Sequence, residues 1–224
     1  MTTPLSSLAL AQRLADHLFH FPLPPQAVPN AMKALEIRRT KRREQARKNN
    51  AYEYVVECLL RPVITAWTVD ALGIRPEDGP RLVNSSHYHS TDDPRWPESW
   101  TEFKRLHPHV DIDDSDGHGR RADLFVVMPD GGLVSIDFKY VPPRHTPSVA
   151  ACVRQLGLCL EQHEASILVL YAGRDPSKRL GDAAAEILKR VKSEQAFVVW
   201  IVGPAIDFST KAREPPARRD GEQS

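Results

Sequence analysis

Apolar residues recur along this chain with two different periods, and the change of period marks out the predicted elements. Over residues 5–20, LSSLALAQRLADHLFH, leucine and alanine return every three or four positions, which predicts an amphipathic helix. The prolines of FPLPPQAVP end it and make a stiff connector. A second helix is predicted from about Asn30 to Lys48, and a third from Asn49 through NAYEYVVECLLRPVITAW. In that third run Tyr52, Val55, Val56, Leu59, Leu60, Val63, Ile64 and Trp67 share a broad face, with Pro62 expected to bend it. On the same wheel Glu53 falls between Leu60 and Ile64, so its carboxylate points inward or at the edge of the buried face. Glu57 lies nearer the border.

Residues 74–119 are rich in Pro, Asp, His and Ser, with one strand expected near RLVNSSHYH or HPHVDID and a short helix near PESWTEFKRL. Beyond them the period shortens to two. The runs ADLFVVM and LVSIDFKYV flank Pro-Asp-Gly-Gly, the pattern of a β-hairpin. Thr146 as N-cap and Pro147 at the first helical position predict a helix to about His163. A continuous apolar strand SILVLYAG, a helix from Asp182 to Lys192 and a strand AFVVWIVG follow. The polar end KAREPPARRDGEQS has too little apolar surface to pack.

The hairpin carries charges that its apolar runs do not explain. Alternation puts Val134, Ile136, Phe138 and Tyr140 on one face of the second strand and Leu133, Ser135, Asp137 and Lys139 on the other. On the first strand Ala122, Leu124, Val126 and Met128 oppose Asp123, Phe125 and Val127. If the two apolar sets cover one core, Asp123, Asp137 and Lys139 converge on the other face, provided the turn has an odd number of residues or a bulge corrects the register. Two carboxylates in a sheet interior repel each other and lose solvent, and one lysine offsets only part of that. A divalent cation resolves the conflict, and hard oxygen ligands suit Mg²⁺.

Composition narrows the setting. The 224 residues are 41% hydrophobic and 26% charged, ordinary for a globular protein, and the net charge of +1 hides an asymmetry: residues 1–50 hold nine Lys/Arg against three Asp/Glu. The N-terminal part therefore reads as a basic arm. Cys58, Cys152 and Cys159 form no CxxC pair, which argues against a disulfide framework or a thiolate zinc site and fits a reducing cytoplasm. No apolar run approaches the roughly 20 residues of a membrane span, and no signal-peptide pattern opens the chain, so no membrane partner is expected. The histidines of residues 87–118 match no helix-pair or finger spacing, and DIDDSDG misses the register of a calcium loop.

These residues resemble the PD-(D/E)XK phosphodiesterases, the fold of many restriction endonucleases, junction resolvases and recombination nucleases. That family's pattern is an acid at one strand and D/E-x-K on the next, within an αβββαβ core. Here it reads Asp123, then Asp137-Phe138-Lys139, with the glutamate-bearing helix before and the Thr146–His163 helix after. Roughly one D/E-x-K is expected by chance in a chain of this composition, and the tripeptide alone is uninformative. A second one, Glu102-Phe103-Lys104, lacks both a flanking strand and an upstream acid. Ala122 stands where the family name has proline, and Gln155 is followed by Cys159 where one branch has Q-x-x-x-Y. The architectural resemblance spans residues 49–202.

The resemblance implies a restriction endonuclease-like α/β fold at 49–203, with a mixed central sheet flanked by helices. A helical basic extension would precede it at 1–48 and a disordered tail would follow at 204–224. It implies a metal-dependent endonuclease acting on DNA, with RNA as the other substrate open to it and a homodimer convenient for cutting both strands. Asp123, Asp137, the Phe138 carbonyl and Glu53, preferred to Glu57, would hold Mg²⁺ or Mn²⁺. That cation would lower the pKa of a bound water and neutralise charge building on the phosphate. Lys139 would orient the attacking water or stabilise the transition state, and Gln155 would contact the site. Arg120 and Arg121, with Arg38, Arg39, Lys41, Arg42 and Arg43 of the basic arm, would hold neighbouring phosphates. The alternatives are a surface hairpin whose Asp and Lys form a solvent-facing ion pair, and a catalytically silent module that binds nucleic acid or a partner protein.

Overall fold

A computed structural model describes residues 5–32, 48–73, 82–84, 122–128, 130–142, 145–173 and 177–206. The basic stretch with Arg38, Arg39, Lys41, Arg42 and Arg43, the pair Arg120 and Arg121, the histidine-rich segment and the C-terminal tail lie outside these residues. So do HPHVDID, the expected helix at PESWTEFKRL and most of the Asn30–Lys48 helix, of which residues 27–32 are helical.

Among the described residues, besides the short helical stretch at 27–32, four helices and five strands make an α/β domain in the order α1 (Ser7–Phe19), α2 (Lys48–Leu72), β1 (Leu82–Asn84), β2 (Leu124–Val127), β3 (Leu133–Val141), α3 (Val149–Leu160), β4 (Ala165–Gly173), α4 (Ser177–Val191) and β5 (Ala196–Gly203). The strands form one mixed sheet in sequence order. β1, β2 and β3 pair antiparallel, while β4 and β5 join parallel through α3 and α4. Parallel neighbours need a crossover, and a sheet covered by helices on both faces can bury an interior strand such as β4, which lies between β3 and β5. All nine residues of β4 are buried accordingly.

The two faces have different cores. On one, α1 and α2 contribute Leu10, Leu14, Leu18, Val56, Leu60 and Ile64 against Leu124, Val126, Ile136, Phe138, Val169 and Tyr171. On the other, α3 and α4 contribute Cys152, Leu156, Leu180 and Ile187 against Val141, Leu168, Leu170 and Val198. Next to these, Phe125 and Leu133 pack with Cys159. Arg13 lies 5.9 Å from the Trp67 ring and His17 stacks on it at 5.7 Å, tying α1 to α2.

Helix α1, in the stretch expected as an extension, packs within the main core. Two sequence expectations need correction. Helix α3 starts later than expected, with Ser148 as its N-cap, whose Oγ accepts from the Ala151 amide at 3.4 Å, rather than Thr146. Helix α4 starts at Ser177, five residues before Asp182. The strands agree more closely: β1 falls inside RLVNSSHYH, and β5 coincides with AFVVWIVG.

Candidate active site

The β2–β3 hairpin sets the register on which the site depends. Met128 N–H donates to Gly132 O at 2.8 Å, and Gly131 sits at φ 89° in the intervening three-residue loop. A left-handed residue at this point is usual for such a loop, and glycine takes it without the steric cost a Cβ brings. The loop length is odd, so Leu124 pairs with Ile136 and Phe125 with Ser135. Extending that register sets Asp123 beside Asp137 on the face that carries Lys139.

Beyond Leu124 the β2 ladder ends. The hydrogen-bonding alternation would send the Phe138 N–H to the backbone of Ala122; it goes instead to the Asp123 carboxylate, 2.9 Å from Oδ2. Asp137, fully buried, accepts from Gln155 Nε2 at 2.7 Å on Oδ1 and from the Cys159 thiol at 3.7 Å on Oδ2. Lys139 Nζ lies 3.5 Å from Glu53 Oε1, brought there by α2, and next to that pair Tyr52 and Tyr140 stack at 4.6 Å.

Burial and mutual repulsion shape the charges. Loss of solvent pushes the Asp123 carboxyl well above its ordinary range, and the charges of Asp137 and Glu57 push it further, against the pull of Lys139 and the Phe138 amide. Burial likewise raises Asp137 to about 6, although Lys139, Cys159, Gln155 and the Asp123 backbone all favour its charged form. For Lys139, burial is the largest influence and works against its charge. Glu53, Asp123 and Asp137 together outweigh it and hold the ammonium above its ordinary pKa. Burial also pushes the Cys159 thiol far up, so it stays an S–H group.

The structure reverses the expected burial of the two glutamates. Glu57 is 3% exposed, whereas the Glu53 side chain is 35% exposed. Helix α2 is covered by α1 as well as by the sheet, which widens its buried arc past Ile64 to take in Glu57 and Thr68. Glu53 lies at the rim of that core, beside the half-buried Tyr52. Asp123, Asp137, Lys139, Glu53 and Gln155 are thus brought together. Cys159, which was not among the expected site residues, touches Asp137. The signal available in the sequence was its place four residues after Gln155, one helical turn on the same face.

As a test of fit to a cation, the donor set is a fully buried carboxylate, Asp137, and a half-buried one, Asp123 just before β2, whose like charges repel. Among the described residues no three His, Cys, Asp or Glu side chains gather so as to enclose a metal ion. Asp123 and Asp137 are the residues that could hold a hard ion such as Mg²⁺, which takes one or two carboxylates and completes its shell with water and substrate oxygens. Glu53 is engaged with Lys139. Among the described residues no helix is long and apolar enough to cross a membrane. No family model, no curated protein and no solved structure matches the chain.

Proposed function

We propose that this protein is a metal-dependent nuclease that hydrolyses phosphodiester bonds in DNA, with a restriction endonuclease-like core. The observation that carries the reading is the pair Asp123 and Asp137. A half-buried carboxylate, Asp123, and a fully buried one, Asp137, repel each other on one hairpin face, each with its pKa raised, beside a lysine that keeps its charge. Burying such a pair without a cation costs stability, and sites that accept this cost are commonly functional. The order α2-β1-β2-β3-α3-β4 supports the same reading, because it is the αβββαβ order of the family the motif resembles. A solvent-facing ion pair on an exposed hairpin is not what these residues form, since Asp137 is fully buried.

Each residue then has a role. Asp123 and Asp137 would hold the cation, with the Phe138 carbonyl as a further oxygen donor. When bound, the cation supplies Lewis acidity toward water and phosphate. Lys139, held as an ammonium, neutralises phosphate charge and orients water by donating hydrogen bonds; it is unsuited to accept a proton. Glu53 fixes the lysine's position by ion pairing. Gln155 holds Asp137 through its Oδ1.

Incubating the purified protein with DNA and Mg²⁺, beside Asp137→Ala and Lys139→Ala, tests the proposal. Cleavage by the parent and its loss in both variants is the expected result. Absence of cleavage across metals and DNA substrates would favour a silent binding module, and cleavage of RNA alone would keep the site while replacing the substrate.

A further inference from the structure

Asp137 is held from behind by a single helix. Its two carboxylate oxygens accept from Gln155 and Cys159, one turn apart on α3, at 2.7 and 3.7 Å. Residues four apart share a helix face, so one rigid element supplies both side-chain donors to one strand residue, beside the backbone amide of Asp123. Behind the thiol, the Ser135 hydroxyl donates to Ser166 Oγ at 2.9 Å. Asp137, Ser135 and Ser166 are 0% exposed and Cys159 is 2% exposed. Four polar side chains thus occupy a place between sheet and helix where apolar groups of the same size would pack at lower cost. Loss of the thiol would take one of the α3 donors from a carboxylate that burial already disfavours as an anion.

We propose that Cys159 is a positioning residue: its thiol, acting with Gln155, fixes the orientation of the Asp137 carboxylate, leaving that group's remaining lone pairs for a hard divalent cation shared with Asp123. This rests on the reading of Asp137 as a cation ligand. A hydrogen-bond partner that orients a ligand is worth about ten- to a hundredfold in metal affinity. The thiol is a weak donor, so its loss belongs at the low end of that range.

The test is calorimetric titration of Mn²⁺ into the parent, Cys159→Ala, Cys159→Val and Cys159→Ser, with the melting temperature of each recorded. Affinity is expected to fall about tenfold in the alanine and valine variants. The serine variant, which keeps a donor, should retain most of the parent's affinity. A packing role alone would rank the variants by side-chain volume. Valine binding as tightly as the parent would therefore overturn the proposal while leaving the cation site standing. Failure of the parent itself to bind Mn²⁺ would remove the cation reading, and the positioning role with it. If the variants do not fold, the infrared S–H stretch of the parent decides. It is expected at lower frequency than in Asp137→Asn, and an unchanged band would overturn the proposal.

Discussion

Asp137 links the site to pH and to stability through a single side chain. Its pKa is 3.8 ordinarily and about 6 in the fold, so between those values the folded chain holds more protons than the unfolded one. Stability must then fall as pH rises through that window. Asp123, raised as well, acts in the same direction. A shift of roughly two units corresponds to about 3 kcal/mol. Asp137→Asn, which cannot ionise, is therefore expected to match the parent near pH 4 and to exceed it by about 2 to 3 kcal/mol at pH 7 in urea unfolding without added metal. Equal pH profiles for the two proteins would contradict the buried-anion account. Mg²⁺ added at pH 7 is expected to raise the parent's melting temperature and leave that of Asp137→Ala unchanged, because a ligand that binds only the folded state stabilises it by mass action.

At the scale of elements, the site is as good as the hairpin and the helix that hold it. Gly131 adopts φ 89°, and a Cβ there would meet no neighbour within 4 Å, so the cost of Gly131→Ala is one of backbone conformation alone. About 1 to 2 kcal/mol is expected, read from the denaturant midpoint. Ser148 caps α3, the helix that carries Gln155 and Cys159. Ser148→Ala is expected to cost about 1 kcal/mol and to speed amide exchange over the first turn of α3. The hairpin itself was legible, since two alternating runs around Asp-Gly-Gly leave few other arrangements. The N-cap was misplaced because Thr146 with Pro147 and Ser148 with Val149 are both acceptable starts, and only the packing of α3 chooses between them.

Over the whole molecule, α1 joins sequence-distant parts into one core. Leu10, Leu14 and Leu18 are fully buried, against β-strand residues more than a hundred positions later. Leu14→Ala is expected to cost about 2 to 5 kcal/mol. Removing residues 1–26 is expected to abolish cooperative thermal unfolding, whereas a separate extension could be cut away without that effect.

The sequence by itself determined the type and order of the longer elements among the described residues, the two faces of the hairpin and the company of Asp123, Asp137 and Lys139, because period and alternation are local properties of the chain. Helical phase also put Glu53 at the edge of a buried face, while Gln155 was singled out by the family resemblance alone. Only the tertiary structure decided that α1 is core, that Glu57 is buried while Glu53 pairs with Lys139, and that Cys159 touches Asp137. Each of these depends on which second element covers a helix, and a hydrophobic stripe specifies that something must cover it without specifying what.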